Sequence, residues 1–276
     1  MTIVSLPIGN LKDITLRAIE TLEQSDIIYC EDTRTTIKFT NHYNIKATLK
    51  SYHEHSTAKA REKIINELGD GKNISLVSDA GTPLISDPGY KLIRDIKKSG
   101  FNVSSAPGVS SPVMALTLSG IPSDKFLFVG FLPTKKSSRS DYLIEISNIN
   151  ASIIIFESAK RINGTLMALK EILGNRKVAI CRELTKKFEE IINGNISDVL
   201  KEISSRDSLK GEIVIVVSGP DASNEKDIDI EPMLMDALST MSASEASKEV
   251  SKFTNLSRKE VYNVALKLKG KNYDDS

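Results

Sequence analysis

The chain has 276 residues, 40% hydrophobic and 26% charged, with a formal net charge of +1. These are globular values, which exclude wholesale disorder and any global field for nucleic acid, so a basic surface has to be local. Cys30 and Cys181 are too few for a disulfide scaffold or a cysteine-rich metal site. Met1 to Asp13 lacks a signal-peptide pattern, and the apolar runs fall far short of the roughly 20 residues that span a bilayer. A cytosolic, soluble protein with no membrane association is expected, and the length favours two domains.

Taken in chain order, Ile3-Val4-Ser5-Leu6 reads as a first strand. Asp13 is placed to cap a helix whose apolar positions Leu16, Ile19 and Leu22 recur every three residues. Ile27 to Cys30 is a second strand, followed by a helix near 35–43, and a third strand covers about 49–52. The spacing predicts a helix over 58–68 with Ile64, Ile65 and Leu68 inward, ending at Gly69 and Gly71. The apolar run Ile74 to Val77 reads as a buried strand, followed by the loop Ser78 to Tyr90, a helix over 91–99 and a strand near Val103. This alternation argues for a mainly parallel sheet with helices on both faces.

A second α/β unit begins near Pro122. Its strands are expected at 126–129, 153–156, 178–181, 191–192 and 213–217, with helices near 140–147, 164–173 and 197–203. The predicted division is an N-terminal α/β domain over 1–120, a C-terminal α/β domain over 121–220, and a tail over 221–276. A cleft between the two α/β units is the natural ligand site. Asp221 to Asp236 carries six carboxylates against one lysine and reads as a solvated linker. Two capping boxes follow, Ser242-x-x-Glu245 and Ser257-x-x-Glu260, opening helices of about 243–254 and 258–269. The second presents Val261, Val264, Ala265 and Leu268 on one face, and the pair looks like a helix-turn-helix. Lys248, Lys252, Arg258, Lys259, Lys267, Lys269 and Lys271 make it basic, which suits either a solvated helix pair or a nucleic-acid docking module.

The chemistry concentrates in the loops after strands. Ser78 to Tyr90 holds two acidic residues, two glycines and two prolines, at the strand end where open α/β sheets bind ligands. Pro83 and Pro88 fix the backbone, Gly81 and Gly89 allow close approach, and Asp79 and Asp87 supply acceptors for hydroxyls or a cation. Leu6-Pro7-Ile8-Gly9-Asn10 has neither the G-x-G-x-x-G nor the G-x-x-x-x-G-K-[ST] spacing, so a ligand without phosphates fits better. Glu31-Asp32-Thr33-Arg34 ends the second strand, with carboxylates for a cationic or hydroxyl-bearing ligand and Arg34 for phosphate. His53-x-His55 has chelating spacing but no further ligand cluster, which leaves nucleotide contacts or general-base work. Ala106 to Pro112 can wrap a ligand and offers the hydroxyls of Ser110 and Ser111. Lys135, Lys136 and Arg139, then Lys160 and Arg161, then Arg182, Lys186 and Lys187 form three basic clusters after strands. At one end of one sheet they would make a phosphate-binding rim.

Five of these motifs fall in order on one known pattern: Pro7-Ile8-Gly9-Asn10-Leu11 with Asp13-Ile14-Thr15 and Arg17, Glu31-Asp32-Thr33-Arg34, Tyr52-His53-Glu54, Asp79 to Pro88, and Glu183-Leu184-Thr185-Lys186. Over about residues 2 to 218 the chain resembles the tetrapyrrole methylase superfamily, in its branch of bacterial 16S ribosomal RNA cytidine ribose 2′-O-methyltransferases. Relatives acting on corrinoids and porphyrins usually have Gly-Asp-Pro where this chain has Ala80-Gly81-Thr82-Pro83, which favours the RNA branch. The resemblance implies a two-domain α/β fold with a mainly parallel N-terminal sheet, a mixed C-terminal sheet and a helix-turn-helix appendix. It also implies a homodimer, S-adenosylmethionine in the cleft, no metal, and 16S rRNA of the small ribosomal subunit as partner. Leu6 to Gly9, Asp79 to Pro83 (with Ala80, Gly81 and Thr82), Ile85, Ser110, Ser111 and Phe156 would hold the cofactor. Glu31 or His53 would be the base, and Arg34, Glu54 and the basic rim would face the RNA. Two rivals stand beside this reading: a tetrapyrrole methyltransferase, which needs a large apolar cleft, and an RNA-binding protein without catalysis.

Overall fold

A computed structural model describes residues 1–206, 208–220, 230–251 and 258–274, with side chains up to Leu268. They fall into two compact units, Met1–Gly219 and Pro220–Ser276.

The first unit holds two five-stranded sheets. In the first, β1 (Thr2–Val4), β2 (Ile27–Cys30), β3 (Thr48–Ser51), β4 (Ile74–Leu76) and β5 (Ser104–Ala106) are all parallel, in the order β3-β2-β4-β1-β5. Successive side chains of a strand face opposite ways, so each strand feeds two cores. Ile28 and Cys30 point into one with Val4, Ala106 and residues of α1 (Leu16–Glu23) and α2 (Thr33–His42). Ile27 and Tyr29 point into the other with Leu76 and residues of α3 (Ala58–Gly69) and α4 (Tyr90–Lys98). Helices on both faces explain why β2 is apolar at every position.

The second sheet comprises β6 (Phe126–Phe131), β7 (Ser152–Ser158), β8 (Lys177–Arg182), β9 (Glu190–Asn195) and β10 (Glu212–Val217), in the order β6-β7-β10-β8-β9. β6 and β7 are parallel, while β10 runs antiparallel to both β7 and β8. The carboxyl ends of β6, β7 and β8 and the amino end of β10 therefore share one edge. Ile153, Ile154 and Ile155 of β7 are each fully buried, at about 1.5–3 kcal/mol apiece. One face packs on α6 (Lys136–Ile146), α7 (Ile162–Leu173) and α8 (Ile196–Ser204), the other on α5 (Ser111–Ser119).

Three sequence expectations need correction. The first helix is capped by Thr15, whose side chain accepts from the Ala18 amide, while Asp13 sits in a preceding 3-10 turn. Its Leu16 is 79% exposed, and Ala18 and Leu22 are the buried positions. Helix α5 was not foreseen, because Pro112 at its start and an apolar sequence without helical periodicity give no amphipathic signal. Part of the acidic segment read as linker is a helix, α9 (Ile230–Thr240), with Ile230 and Leu234 buried; residues 221–229 lie outside the described ones.

In the second unit α9 packs with α10 (Ala243–Val250) and α11 (Arg258–Asp274) around Leu234, Ala246, Val261, Ala265 and Leu268. The Ser242–Glu245 capping box is complete, with both reciprocal hydrogen bonds made. Ser257 of the second expected box lies outside the described residues. Among the described residues no helix is long and apolar enough to cross a membrane.

Candidate active site

The neighbouring strands β4, β1 and β5 deliver three loops to one edge of the first sheet, and backbone and hydroxyl groups lock them together. Leu6 N donates to Gly81 O at 2.9 Å and Gly81 N to Leu6 O at 3.0 Å. Thr82 Oγ1 donates to Val109 O at 3.0 Å and lies 3.1 Å from Ser5 Oγ. Gly81 is at φ +72°, a conformation that costs other residues energy. At Gly9 a Cβ would lie 2.4 Å from Lys186 Cγ and 2.8 Å from Thr185 Oγ1, so only glycine lets the first loop meet the loop after β8.

The loops face the second sheet across a cavity of about 260 Å³. The first sheet contributes Ile8, Ala80, Gly81, Thr82, Ile85, Ser86 and Asp87, and the start of α5 adds Ser110, Ser111 and Pro112. From the second sheet come Phe131, Phe156, Glu157, Cys181, Leu184, Glu212, Ile213 and Val214. Several hydroxyls and Asp87 interrupt apolar walls, Glu157 and Glu212 are already paired with Arg161 and Lys186, and none of the lining side chains is basic. Such a lining favours a ligand with a positive centre and apolar arms, and disfavours phosphates.

Strain gathers on both sides of this cavity. Five non-glycine residues are at positive φ among those described, and four flank it: Leu84 (73°) and Ser86 (64°) after β4, Glu183 (51°) and Thr185 (66°) after β8. Such conformations cost of order 1–3 kcal/mol each and persist where surrounding structure enforces them, as at ligand clamps. Lys186, bonded at 2.9 Å to both Glu183 and Glu212, holds the second loop.

Asp87 is the strongly perturbed acid of the cavity. Burial pushes its carboxyl up to about 6, and the charges of Glu31 and Asp79 add to the rise against a hydrogen bond from Ser78. Glu157, 2% exposed, is held as a structural carboxylate. Its oxygens accept from Thr165 Oγ1 at 2.6 Å and the Ser158 amide at 2.8 Å, and Arg161 Nε lies 3.2 Å away. Burial raises the Cys181 thiol to about 12, which leaves it un-ionised and unreactive.

A second cavity of about 100 Å³ adjoins, lined by Tyr52, His53, Glu54, Ser56, Arg61, Asp87, Gly89, Tyr90 and Lys91. Asp87 belongs to both cavities. Among the described residues no three His, Cys, Asp or Glu side chains are placed to hold a metal ion.

Of the residues expected at the cofactor, Ile8, Ala80, Gly81, Thr82, Ile85, Ser110, Ser111 and Phe156 line the larger cavity together. Leu6, Pro7 and Pro83 are buried behind it, Gly9 abuts the β8 loop, and Asp79 accepts from the Asp32 amide at 3.2 Å. His53 and Glu54 line the smaller cavity, and Glu31 lines neither. Arg34 reaches solvent with its guanidinium on Asp32, which holds that carboxyl down at about 2.

The basic clusters do follow β6, β7 and β8 at one edge, but their cations differ. Arg161 pairs with Glu157 and donates to Leu132 O, Arg182 pairs with Glu190, and Lys186 with Glu183 and Glu212. Those three serve the fold rather than a free rim, whereas Lys135, Lys136 and Lys160 are exposed and Arg139 is half-buried. The sequence reading missed Ser86, Pro112, Phe131, Glu157, Cys181, Leu184, Glu212, Ile213 and Val214 as lining residues. It noted Asp87 only as an acceptor. β10 enters by its amino end because it is antiparallel, so a search of loops after strands passes over it.

Comparison with known proteins places the chain in a family. Residues 1–200 match the family model "Tetrapyrrole (Corrin/Porphyrin) Methylases", and residues 224–269 match "RsmI C-terminal HTH domain". The chain is 46% identical over 270 residues to ribosomal RNA small subunit methyltransferase I of Rickettsia prowazekii, covering 97% of this chain and 96% of that one. It is 40% identical over 273 residues to the Bacillus subtilis protein of the same name, covering 95% and 92%. The fold is shared with diphthine synthase (TM-score 0.63, 13% identity, 79% of this chain and 88% of that one) and with the methyltransferase CobJ (TM-score 0.59, 15% identity, 79% and 93%). The chain belongs to the tetrapyrrole methylase family, in the branch of the small-subunit ribosomal RNA methyltransferases I, and is an S-adenosylmethionine-dependent methyltransferase.

Proposed function

We propose that the protein methylates the ribose 2′-hydroxyl of a cytidine in 16S rRNA of the small ribosomal subunit, with the cofactor in the larger cavity and the target nucleotide at the smaller one. The names of its relatives support ribosomal RNA as substrate. The observation that carries the rest is the position of Asp87, shared by both cavities with its carboxyl raised to about 6.

The residues present fit S-adenosylmethionine, because apolar walls and the Asp87 carboxylate, without a basic side chain in the lining, suit a cation with an adenine and a methionine arm. The cofactor supplies a methyl group already bound to its leaving group. Phe156 and Leu184 give the cavity apolar walls, and Ser110 and Ser111 provide hydroxyls for orientation. Asp87 accepts the proton of the 2′-hydroxyl as the new oxygen–carbon bond forms. A base matched to neutral pH contributes about 10²–10⁴-fold. Asp87 replaces Glu31 and His53 in this role, since Glu31 borders neither cavity and His53 only the smaller.

A division at 1–120, 121–220 and 221–276, a homodimeric state and a cytoplasmic site of action go with this reading and are supported by the family likeness. The tetrapyrrole alternative loses ground because relatives matched over nearly the whole chain are named ribosomal RNA methyltransferases.

The test is single-turnover methyl transfer to small-subunit RNA with mass mapping of the product. Wild-type protein should mark one cytidine ribose, and Asp87→Asn should lose about 10²–10⁴-fold in rate at saturating cofactor. A variant within threefold of wild type would remove Asp87 from the role. No ribose methylation by wild type would remove the function.

A further inference from the structure

We propose that the smaller cavity is a base-recognition pocket that receives a cytosine turned out of its RNA stack, with Tyr90 as stacking face and Glu54 as acceptor for the exocyclic amine. The inference rests on the function proposed above and adds how the target base is chosen.

The two cavities that meet at Asp87 have opposite character. Basic side chains are absent from the lining of the larger, whereas Arg61 and Lys91 line the smaller beside Tyr52 and Tyr90. The cavity is small, about 100 Å³ against about 260 Å³ for its neighbour. Tyr90 is 69% exposed at the cavity, an aromatic face left to solvent, and no ring contact involves it among the described residues. Enzymes that act inside structured nucleic acid turn the nucleotide out and hold its base by stacking and by hydrogen bonds to its pairing edge.

Charge at the rim selects the base. A carboxylate only accepts hydrogen bonds, and the N4 amine of cytosine only donates. Uracil would set its O4 acceptor against Glu54, and the two rings of adenine need more room. Arg61 is fixed by Asp95 at 2.7 Å between Nε and Oδ2, so its guanidinium is a rigid wall that does not follow the ligand. Lys91 is exposed beside Tyr90, in reach of the RNA backbone. With the base seated there, the attached ribose lies toward Asp87, the group between the cavities.

The experiment uses small-subunit RNA carrying cytidine or uridine at the methylated position, once mass mapping has located it. RNA affinity, single-turnover rate and calorimetric affinity for S-adenosylmethionine are measured for wild type, Tyr90→Ala, Tyr90→Phe and Glu54→Gln. Tyr90→Ala should weaken RNA binding about 5- to 150-fold with cofactor affinity unchanged, and Tyr90→Phe should restore it. Wild type should prefer cytidine to uridine by about tenfold or more, and Glu54→Gln should narrow that ratio. If wild type methylates the RNA while both Tyr90→Ala and Glu54→Gln keep its affinity and its preference, the base is read elsewhere and the pocket assignment is overturned. If wild type leaves the RNA unmethylated, the functional reading itself fails and takes this pocket with it.

Discussion

Leu6 and Gly81 exchange both of their backbone hydrogen bonds, at 2.9 and 3.0 Å, and so fasten the loop after β1 to the loop after β4 at the wall of the larger cavity. The exchange needs Gly81 at φ +72°, where an added Cβ would also lie 3.3 Å from Ile8 Cγ2. Gly81→Ala is therefore expected to cost about 1–2 kcal/mol in stability. It should also weaken S-adenosylmethionine binding, because Ile8 and Gly81 both line the cavity. Urea denaturation and calorimetry check the two effects, and a variant with wild-type values in both would show that this contact does not set the loop geometry.

Removing the Glu157 carboxylate should be severe. Glu157→Ala leaves Arg161 without its counter-charge and the buried Thr165 hydroxyl without its acceptor, which is expected to cost about 3–5 kcal/mol. Glu157→Gln keeps an acceptor for Thr165 and should lose less. The order of the two midpoints in urea tests this; equal stability of Glu157→Ala and wild type would mean that Arg161 gains nothing from the pair.

The pH dependence follows from Asp87. Its raised value means that the fold favours the protonated acid, so this group's contribution to stability is present below about 4 and lost as pH rises through about 6. Catalysis goes the other way, because the base has to be ionised. The kcat/KM for RNA should climb about tenfold per pH unit below about 6 and level above it. Asp87→Asn should abolish that limb and flatten the fall in stability between pH 4 and 7. A limb that survives in Asp87→Asn would belong to another group.

The tail should act through charge. Lys248, Arg258, Lys259 and Lys267 are exposed on the terminal helices. Each phosphate contact adds about 0.7 to 0.9 to the slope of log affinity against log salt. Replacing all four by glutamine is expected to lower that slope by at least about one and to leave cofactor affinity alone. An unchanged slope would show that this helical unit does not touch the RNA.

Strands with both faces covered and helices with a clear cap were legible in the sequence. β2 was legible because both its faces are covered, and α10 because Ser242 and Glu245 announce its start. The stretch Ser78 to Tyr90 was legible as a loop because proline, glycine and aspartate are poor core material, and part of it lines both cavities. Helix α5 was not, since it is covered by the second sheet along an apolar sequence that hides its period. The second sheet's half of the cavity was hidden for a different reason. Glu212 to Val214 reach it through chain reversal, and Leu184 and Cys181 read as ordinary core until the two sheets face each other. Arg161, Arg182 and Lys186 read as a basic rim because their carboxylate partners are identifiable only in three dimensions.

The most direct test is a crystal structure with S-adenosylhomocysteine bound at saturation. The ligand is expected in the cavity between the sheets, against Gly81, Thr82, Ser110, Ser111 and Phe156, with its sulfur turned toward Asp87. Ligand density at any other place, or none with the protein intact, would contradict it.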